Sequence, residues 1–156
     1  MPFTLLQSRL ILISLGATPL LELRGAIPAG FAMGLDPIEV FLFSVLGNLL
    51  PIPFLLILFT PLVKWIETKT RFIKFVDFIY KKTVDNKKSD TIKKYGYLGL
   101  ALFVAVPLPG TGAWTGSMIA ALLQMDFKKS FISIAIGTVI AGILVTSLIS
   151  LGIKVF

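Results

Sequence analysis

The hydrophobic positions of this chain are gathered into long uninterrupted stretches, and two of these have the length of a membrane crossing. Residues 40–63 and 130–153 contain no charged side chain, and a charged residue lies directly before and after each of them. A helix needs about 20 apolar residues to cross the hydrocarbon core of a bilayer. Each stretch therefore predicts one transmembrane helix.

A third uncharged stretch has a different pattern, because its middle is broken. Residues 95–125 form a run of 31 residues without a charge, interrupted by Pro107, Pro109 and Gly110. The run is too long for one crossing and shorter than the roughly 40 residues that two crossings need. It predicts a hairpin of two short helical arms that enters the membrane and returns to the same side.

The two halves of the chain are related by an offset of 90 residues. Under this offset Pro19 coincides with Pro109, so that Pro19 becomes the tip of a first hairpin, residues 4–35. Asp36 coincides with Asp126, and each of them precedes a long apolar stretch. The other matched pairs are Leu10 and Leu100, Leu12 and Leu102, Phe41 and Phe131, Gly47 and Gly137, and Leu58 and Leu148.

The whole pattern predicts an all-α integral membrane protein, built as an inverted repeat of a re-entrant helical hairpin plus a transmembrane helix. Each half crosses the membrane an odd number of times, so the second half has the opposite orientation, as in many transporters. The predicted boundaries are 1–63 for the first repeat (hairpin 4–35, span 38–63), 64–94 for a basic linker, and 95–156 for the second repeat (hairpin 95–125, span 127–153).

Composition agrees with a membrane location, and charge indicates the orientation. The 156 residues are 56% hydrophobic with a mean hydropathy of +0.92, against roughly 45–50% apolar residues in soluble domains. Of the 15 Lys and Arg residues, 10 lie between positions 64 and 94, and loops rich in these residues stay in the cytoplasm. We expect a multi-pass protein of the cell membrane with a cytoplasmic linker. A basic block between apolar regions is unlike the basic face of a nucleic-acid-binding domain, so no nucleic-acid partner is expected.

The basic linker contains an amphipathic segment. Between Trp65 and Tyr80 apolar residues recur at helical spacing, with Lys74, Asp77 and Lys81 on the opposite face. This spacing predicts a helix that lies in the cytoplasmic interface, followed by a polar loop that is attracted to anionic lipid headgroups. The simpler interpretation is that the linker only fixes the orientation of the protein.

The absence of two residue types restricts the chemistry. The sequence has no Cys and no His, which excludes disulfides, thiolate chemistry, histidine metal sites and histidine-based nucleophilic triads. We expect no enzymatic activity, no metal site and no cofactor. Any group that handles a proton inside the membrane must be one of the 8 acidic residues.

Two charged residues, Glu22 and Arg24, follow the predicted tip of the first hairpin. If that tip is buried in the membrane, each charge costs about 2.5–3.5 kcal/mol on insertion scales, and charges of that cost are generally functional. Residues two apart do not share a helix face, so a direct pair needs a broken backbone, which Gly25 and Pro28 favour. The alternative is that the hairpin arms cross fully and the two charges lie in a solvated turn.

The sequence "PLPGTG" in the second hairpin is the other candidate site. It does not match a phosphate loop, because the glycine spacing differs and no strand precedes it. A helix that starts near Pro109 nevertheless directs the free N–H groups of Gly110–Ala113 and a positive dipole end at the hairpin tip. The alternative is a kinked helix sealed by its neighbours. The candidate site residues from this stretch are Pro107, Pro109, Gly110, Thr111, Gly112 and Thr115.

Polar residues inside the two long spans add one more candidate. Asn48 and Thr138 coincide under the 90-residue offset and lie within the apolar stretches. Asn48 is therefore a candidate to face the hairpins. Asp36 and Asp126 are better explained as helix N-caps, with Pro37 at the first helical position.

At "ELRGAIPAG" and "PLPGTGAWTG" the chain resembles the bacterial and archaeal small multi-drug export proteins and, more distantly, the DedA superfamily. The resemblance implies inverted repeats with re-entrant hairpins and translocation of undecaprenyl phosphate or other lipids with proton coupling. It implies that Glu22 is the protonatable carboxylate and that Arg24 contacts phosphate, while Pro107, Pro109 and Gly110 match the PxPG motif. The chain departs from the DedA pattern at Phe103, where an acid is usual, and in "RGAIP", which lacks a second arginine.

These observations lead to one expected function and two alternatives. The expected function is proton-coupled movement of an anionic lipid or polyprenyl phosphate by a transporter or flippase. The alternatives are an exporter of small cationic drugs and a membrane scaffold that transports nothing. The expected partners are a membrane lipid or small-molecule substrate and the anionic headgroups at the linker, and the sequence leaves a homodimer open.

Overall fold

The computed structural model describes residues 4–67, 89–108 and 111–152, and this part of the chain is helical, without a strand. The all-α prediction is therefore confirmed for the described residues. Two helical stretches there, Pro37–Leu62 and Phe127–Ser150, are long and apolar enough to cross a membrane. The helices are α1 (Leu5–Ala17), α2 (Glu22–Ala32), α3 (Pro37–Leu49), α4 (Ile52–Glu67), α5 (Ser89–Ala105), α6 (Ala113–Leu122) and α7 (Phe127–Ser150).

The outer surface of these helices is apolar. Large hydrophobic side chains that are about half exposed or more recur along α3, α4 and α7, which is unusual for a soluble protein. Such a surface fits contact with lipid, and together with the two long apolar helices it supports a membrane protein. Examples are Leu42, Leu46, Phe54, Ile57, Leu58, Ile132, Ile136 and Ile143.

The ends of α2 and α6 have the same local geometry, 90 residues apart. Gly34 and Gln124 each follow the helix with a left-handed backbone, at φ 72° and 49°. The next residue in each case donates its N–H back into the helix, from Leu35 to the Gly30 carbonyl and from Met125 to the Ala120 carbonyl. This is the Schellman arrangement that satisfies the last free carbonyl groups of a helix.

The long helices that follow begin with the same cap. The Asp36 side chain accepts a hydrogen bond from the Ile38 N–H at 2.9 Å, and the Asp126 side chain accepts one from the Lys129 N–H at 3.0 Å. A short side chain with an acceptor oxygen satisfies one free N–H at the start of a helix. The N-cap prediction for both residues is confirmed.

The buried core consists of two apolar clusters. Helices α3 and α4 contribute first to one cluster and then to the other, and α7 contributes to the two clusters in the reverse order. The first cluster contains Val40 of α3 and Val145 of α7, together with Leu12, Leu23, Ile27, Leu35 and Ala141. The second cluster contains Ile52 of α4 and Ile134 of α7, together with Leu55, Leu56, Leu100, Val104, Ala113 and Ala120. The chain therefore runs from the first cluster to the second along α3–α4, and from the second to the first along α7.

Close helix contacts depend on a glycine in each long apolar stretch. A Cβ at Gly47 would collide with the backbone of Ile13 in α1, and a Cβ at Gly137 would collide with the carbonyl oxygen of Ala101 in α5. Any side chain at these positions would push apart backbones that now touch. Gly47 and Gly137 are 90 residues apart, so the same contact recurs in each half.

Three features differ from the simplest interpretation of the sequence. The first long stretch is not one regular helix: α3 and α4 are separated at Leu50 and Pro51, because proline lacks the N–H that would continue the ladder. Helix α5 begins at Ser89, inside the predicted linker. Of the predicted linker helix 65–80, Trp65 belongs to α4, and residues 68–80 lie outside the described residues.

Candidate functional site

The site lies where the turn of the first hairpin meets the break of the second. The first turn joins α1 to α2, and the second break, between α5 and α6, includes the described residues Val106–Leu108 and Thr111–Gly112. Glu22 and Arg24, in the first turn of α2, are 8% and 9% exposed. Both predicted charges are therefore buried in the protein, and each of them contacts the other half of the chain.

Glu22 caps a helix to which it does not belong. Its Oε1 accepts a hydrogen bond from the backbone N–H of Trp114 at 3.1 Å, and the N–H of Ala113 also faces the carboxylate. These groups are in the first turn of α6, where N–H groups have no partner within the helix and the dipole favours negative charge. Gly112, the N-cap residue of α6, has no side chain to do this, so the Glu22 carboxylate takes its place.

The position occupied by Gly112 must be a glycine for this contact to exist. A Cβ at Gly112 would lie within the volume of the Glu22 carboxylate. Under the 90-residue offset Gly112 is the counterpart of Glu22, so equivalent points of the two halves touch here. Glu22 itself has a left-handed backbone with φ 49°, a conformation that is unfavourable for a residue with a side chain. Strain at such a position is frequent in functional sites.

Arg24 binds carbonyl groups of the second break. Its guanidinium donates to the carbonyl oxygens of Leu108 and Thr111, to that of Val106 at 3.2 Å, and to the hydroxyl of Thr111 at 2.8 Å. Val106 directly follows α5, and the carbonyl oxygens of Val106 and Leu108 also accept backbone N–H groups, from Leu108 and Thr111. Arg24 therefore adds charge-assisted hydrogen bonds to the turn after α5, whereas Glu22 satisfies N–H groups at the start of α6.

Glu22 and Arg24 do not form a direct ion pair. Among the described residues the ion pair within 4 Å is that of Arg9 with Glu39, although Glu22 and Arg24 attract each other at longer range. Helix α2 runs continuously from Glu22 to Ala32 through Gly25 and Pro28. Gly25 and Pro28 therefore lie in the helix rather than in a backbone break, and each charge has its partners in the second hairpin.

Several buried polar side chains lack partners, and one of them lies beside Glu22. Asn48 is 1% exposed and close to the Glu22 carboxylate, yet neither amide atom forms a hydrogen bond of regular geometry. The hydroxyl groups of Ser44 and Thr138 are also buried without a partner. Along their helices these residues lie between the two apolar clusters. Buried groups of this kind generally hold water or a ligand.

The remaining predicted residues have smaller roles in the geometry. Pro28 lies within α2, one turn beyond Arg24, and Pro107 is half-buried in the break. The Thr115 hydroxyl donates to the Gly112 carbonyl at 3.2 Å, within its own helix. Pro109 and Gly110 lie outside the described residues. The N–H groups at the site are those of Ala113 and Trp114, because α6 begins at Ala113 rather than near Pro109.

Sequence reasoning missed two parts of this arrangement. The Val106 and Leu108 carbonyl groups could not be identified, since every residue offers a carbonyl. Ser44 could have been found, because it lies four residues before Asn48 in an otherwise apolar helix and so shares its face. The Arg9–Glu39 ion pair, at 2.5 Å, was also not predicted, but it lies outside the site. It joins α1 to α3, away from the two turns.

Comparison with known proteins identifies the family. A family described as "Putative small multi-drug export protein" matches residues 22–144. The matched region begins at Glu22, directly after the first turn, and includes the second break, Asn48 and most of α7. No curated protein and no solved structure matches the chain significantly. Since the match covers most of the 156 residues, the chain belongs to the small multi-drug export protein family.

Proposed function

We propose that this protein is a proton-coupled membrane transporter that moves an anionic lipid or polyprenyl phosphate, and that its two halves are inverted repeats with re-entrant hairpins. The family is described as an export family, which supports transport. The finer assignment to a lipid substrate draws on the distant DedA resemblance and on the geometry of the Glu22 site.

Helix lengths and direction support the re-entrant arrangement. At about 1.5 Å per residue, α1, α2 and α6 are about 15–20 Å long, short of the roughly 30 Å hydrocarbon core. The two hairpin turns nevertheless meet, through Arg24 and Thr111. Two hairpins that enter from opposite faces would meet in this way near the midplane. The opposite order in which α3–α4 and α7 visit the apolar clusters also fits two inverted halves.

The observation that carries the proposal is that the Glu22 carboxylate occupies an anion site. Two free N–H groups of α6 face it, and the Arg24 guanidinium lies on the same helix two residues away. A helix N-terminus with a nearby arginine is a site for phosphate. Glu22 therefore stands where the phosphate of a substrate would bind.

Competition between Glu22 and the substrate phosphate couples transport to protons. A proton on Glu22 removes the charge that holds it to α6, and the N–H groups of Ala113 and Trp114 become available to phosphate. Arg24 then exchanges its carbonyl partners for phosphate oxygens, which its planar fork contacts at two points. Loss of the proton returns Glu22 to α6 and expels the substrate. Asn48 and the other unpartnered groups supply the polar surroundings that a headgroup requires.

Export of small cationic drugs is the second candidate, and the family description favours it. In that case Glu22 would receive the cation after leaving α6. A scaffold without transport is the third candidate. If the protein is a lipid transporter or a drug exporter, we propose that it crosses the cell membrane several times, with residues 64–94 in the cytoplasm. We further propose that it has no enzymatic activity and that anionic lipid headgroups bind the linker.

A flux measurement with purified protein in vesicles distinguishes these candidates. We expect a labelled polyprenyl phosphate to cross the membrane, with a rate that depends on the pH gradient, and a cationic dye not to cross. Glu22→Gln should abolish the pH dependence. Glu39→Gln is the matched control, because Glu39 is a carboxylate of the same half that pairs with Arg9. Dye flux without lipid flux would establish the drug exporter, and no flux of either would favour the scaffold.

A further inference from the structure

The second hairpin carries an apolar groove on its outer side. It has a volume of about 240 Å³ and lies between α5 and α6, with Gly96 and Gly99 in its floor and Phe103, Ile119, Leu123 and Met125 among its walls. A Cβ at Gly99 would meet nothing within 4 Å, and one at Gly96 would meet only the end of the Met125 side chain. These glycines are therefore not required by close helix packing.

Large side chains stand at the equivalent positions of the first hairpin. The counterpart of Gly96 is Leu6, and the counterpart of Gly99 is Arg9. The Arg9 guanidinium pairs with Glu39 and lies over the Phe43 ring, 5.3 Å from its centroid. The two glycines that line the groove therefore have no glycine counterpart in the first half.

Positive charge lies at one end of the groove. Met125 lines the groove, and the next residue, Asp126, donates its N–H to the hydroxyl of Tyr97 at 3.0 Å. The Lys129 ammonium lies over the Tyr97 ring, 5.8 Å from its centroid. Lys128 and Lys129 are exposed, and within the described residues no carboxylate lies within 4 Å of either ammonium. The equivalent end of the first hairpin has the acidic Glu39 in place of Lys129.

We infer that this groove holds the acyl chain of an anionic phospholipid from the cytoplasmic leaflet, with the headgroup at Lys128 and Lys129. An apolar slot that ends at two lysines is complementary to a molecule with one long chain region and one negative end. The inference rests on the membrane topology of the proposed function but not on transport. The groove is distinct from the Glu22 site, which lies at the opposite end of α6.

Native mass spectrometry of the full-length protein in detergent tests the groove, with phosphatidylglycerol and phosphatidylcholine as probes. We expect the protein to retain phosphatidylglycerol in preference. Replacing Lys128 and Lys129 by Gln should reduce this preference about fivefold for each lysine. Gly99→Leu, which fills the groove, should reduce retention of both lipids about tenfold. Leu102→Phe is the matched control, since Leu102 lies on α5 and is 56% exposed but does not line the groove.

A second measurement keeps the test independent of folding in the variants. A photoreactive phosphatidylglycerol with a diazirine in its chain should label peptides that contain Phe103 or Leu123 in the unmodified protein. Labelling confined to other helices would overturn the inference, as would unchanged lipid retention in Gly99→Leu. Conversion of a dimer to a monomer by Gly99→Leu would overturn it too, since the groove would then be an interface between copies.

Flux measured on the same variants separates the groove from the transporter. If the unmodified protein retains lipid at the groove but transports nothing, the proposed transport function is contradicted and the lipid-binding groove is supported. If it transports lipid but shows no retention or labelling at the groove, the groove is contradicted and the transport function is supported.

Discussion

The Glu22 carboxylate accepts a hydrogen bond from the backbone N–H of Trp114, which is 92 residues later in the chain. One side chain of the first hairpin thus completes the start of a helix in the second. Two residues further along α2, Arg24 donates to carbonyl groups of the break that follows α5. The halves are therefore joined by opposite charges: Glu22 at the start of α6, whose dipole it complements, and Arg24 at the backbone carbonyl groups of the second break.

Gly112→Ala should weaken the contact between the two hairpins, because the new methyl group collides with the Glu22 carboxylate and not with the backbone. The added methyl group would enter the volume of the Glu22 carboxylate, and overpacking of this kind costs about 1–3 kcal/mol of the free energy of unfolding. Glu22→Ala removes the carboxylate and leaves room for the methyl group. The cost of Gly112→Ala should therefore be smaller by about 1 kcal/mol or more in that background.

The measurement for Gly112 is a double-mutant cycle of unfolding in mixed detergent micelles, followed by far-UV circular dichroism. Gly96→Ala provides the control, because a Cβ at that position meets only the flexible end of Met125 at 3.7 Å. Additive costs of Gly112→Ala and Glu22→Ala would mean that the two positions do not touch.

Arg24→Lys should destabilise the fold by about 1–3 kcal/mol, because a lysine ammonium lacks the planar fork and cannot replace the charge-assisted hydrogen bonds that the guanidinium makes to several separate oxygens. Arg9→Lys is the matched control. Its ion pair with Glu39 is 36% and 31% exposed, and pairs of that exposure contribute about 0–1 kcal/mol. Thermal unfolding in detergent should rank the two variants in this order. Equal effects would place Arg24 in a solvated turn.

Gln124→Gly should stabilise the protein by about 0.5–1 kcal/mol. Gln124 is exposed and adopts a left-handed backbone at φ 49° after α6, where glycine is the favoured residue. The equivalent position after α2 is Gly34, so Gly34→Ala should destabilise by about 1–2 kcal/mol. Unfolding curves for the two variants should move in opposite directions. A destabilising Gln124→Gly would show that the Gln124 side chain makes a contact that offsets its backbone strain.

Local sequence signals were enough to predict several elements. The long apolar runs predicted the helices α3–α4 and α7, and the Asp-Pro pair at Asp36 predicted a cap. These predictions succeed because periodicity and capping depend on neighbours within one helical turn. The left-handed turn after α6 was not predictable in the same way, because Gln124 has none of the conformational freedom of glycine.

The sequence predicted which residues form the site, but it did not predict which residues they contact. The cost of burying charge identified Glu22 and Arg24 as functional candidates, and the broken apolar run identified the second break. Nothing local shows that Glu22 meets Trp114 or that Arg24 meets Leu108, since these contacts depend on how two hairpins pack. The sequence predicted an anion site at the start of the second arm, whereas in the structure the Glu22 carboxylate occupies the start of α6 and Arg24 binds carbonyl groups of the second break.

The orientation of the two halves gives the last prediction, and the chain suits the test because it contains no cysteine. Single cysteines at Ser89 and Lys128 should react with a membrane-impermeant maleimide only from the cytoplasmic side, and one at Asp36 only from the outside. The basic linker and the two lysines in the first turn of α7 share one face of the membrane if the halves are inverted, while Asp36 precedes the crossing that leads to the linker. Labelling of intact cells, followed by labelling after permeabilisation, separates the two sides. Each substituted protein should also be checked for unchanged flux. Labelling of Asp36 and Ser89 from the same side would contradict the inverted arrangement, because Pro37–Leu62 could not then cross the membrane between them.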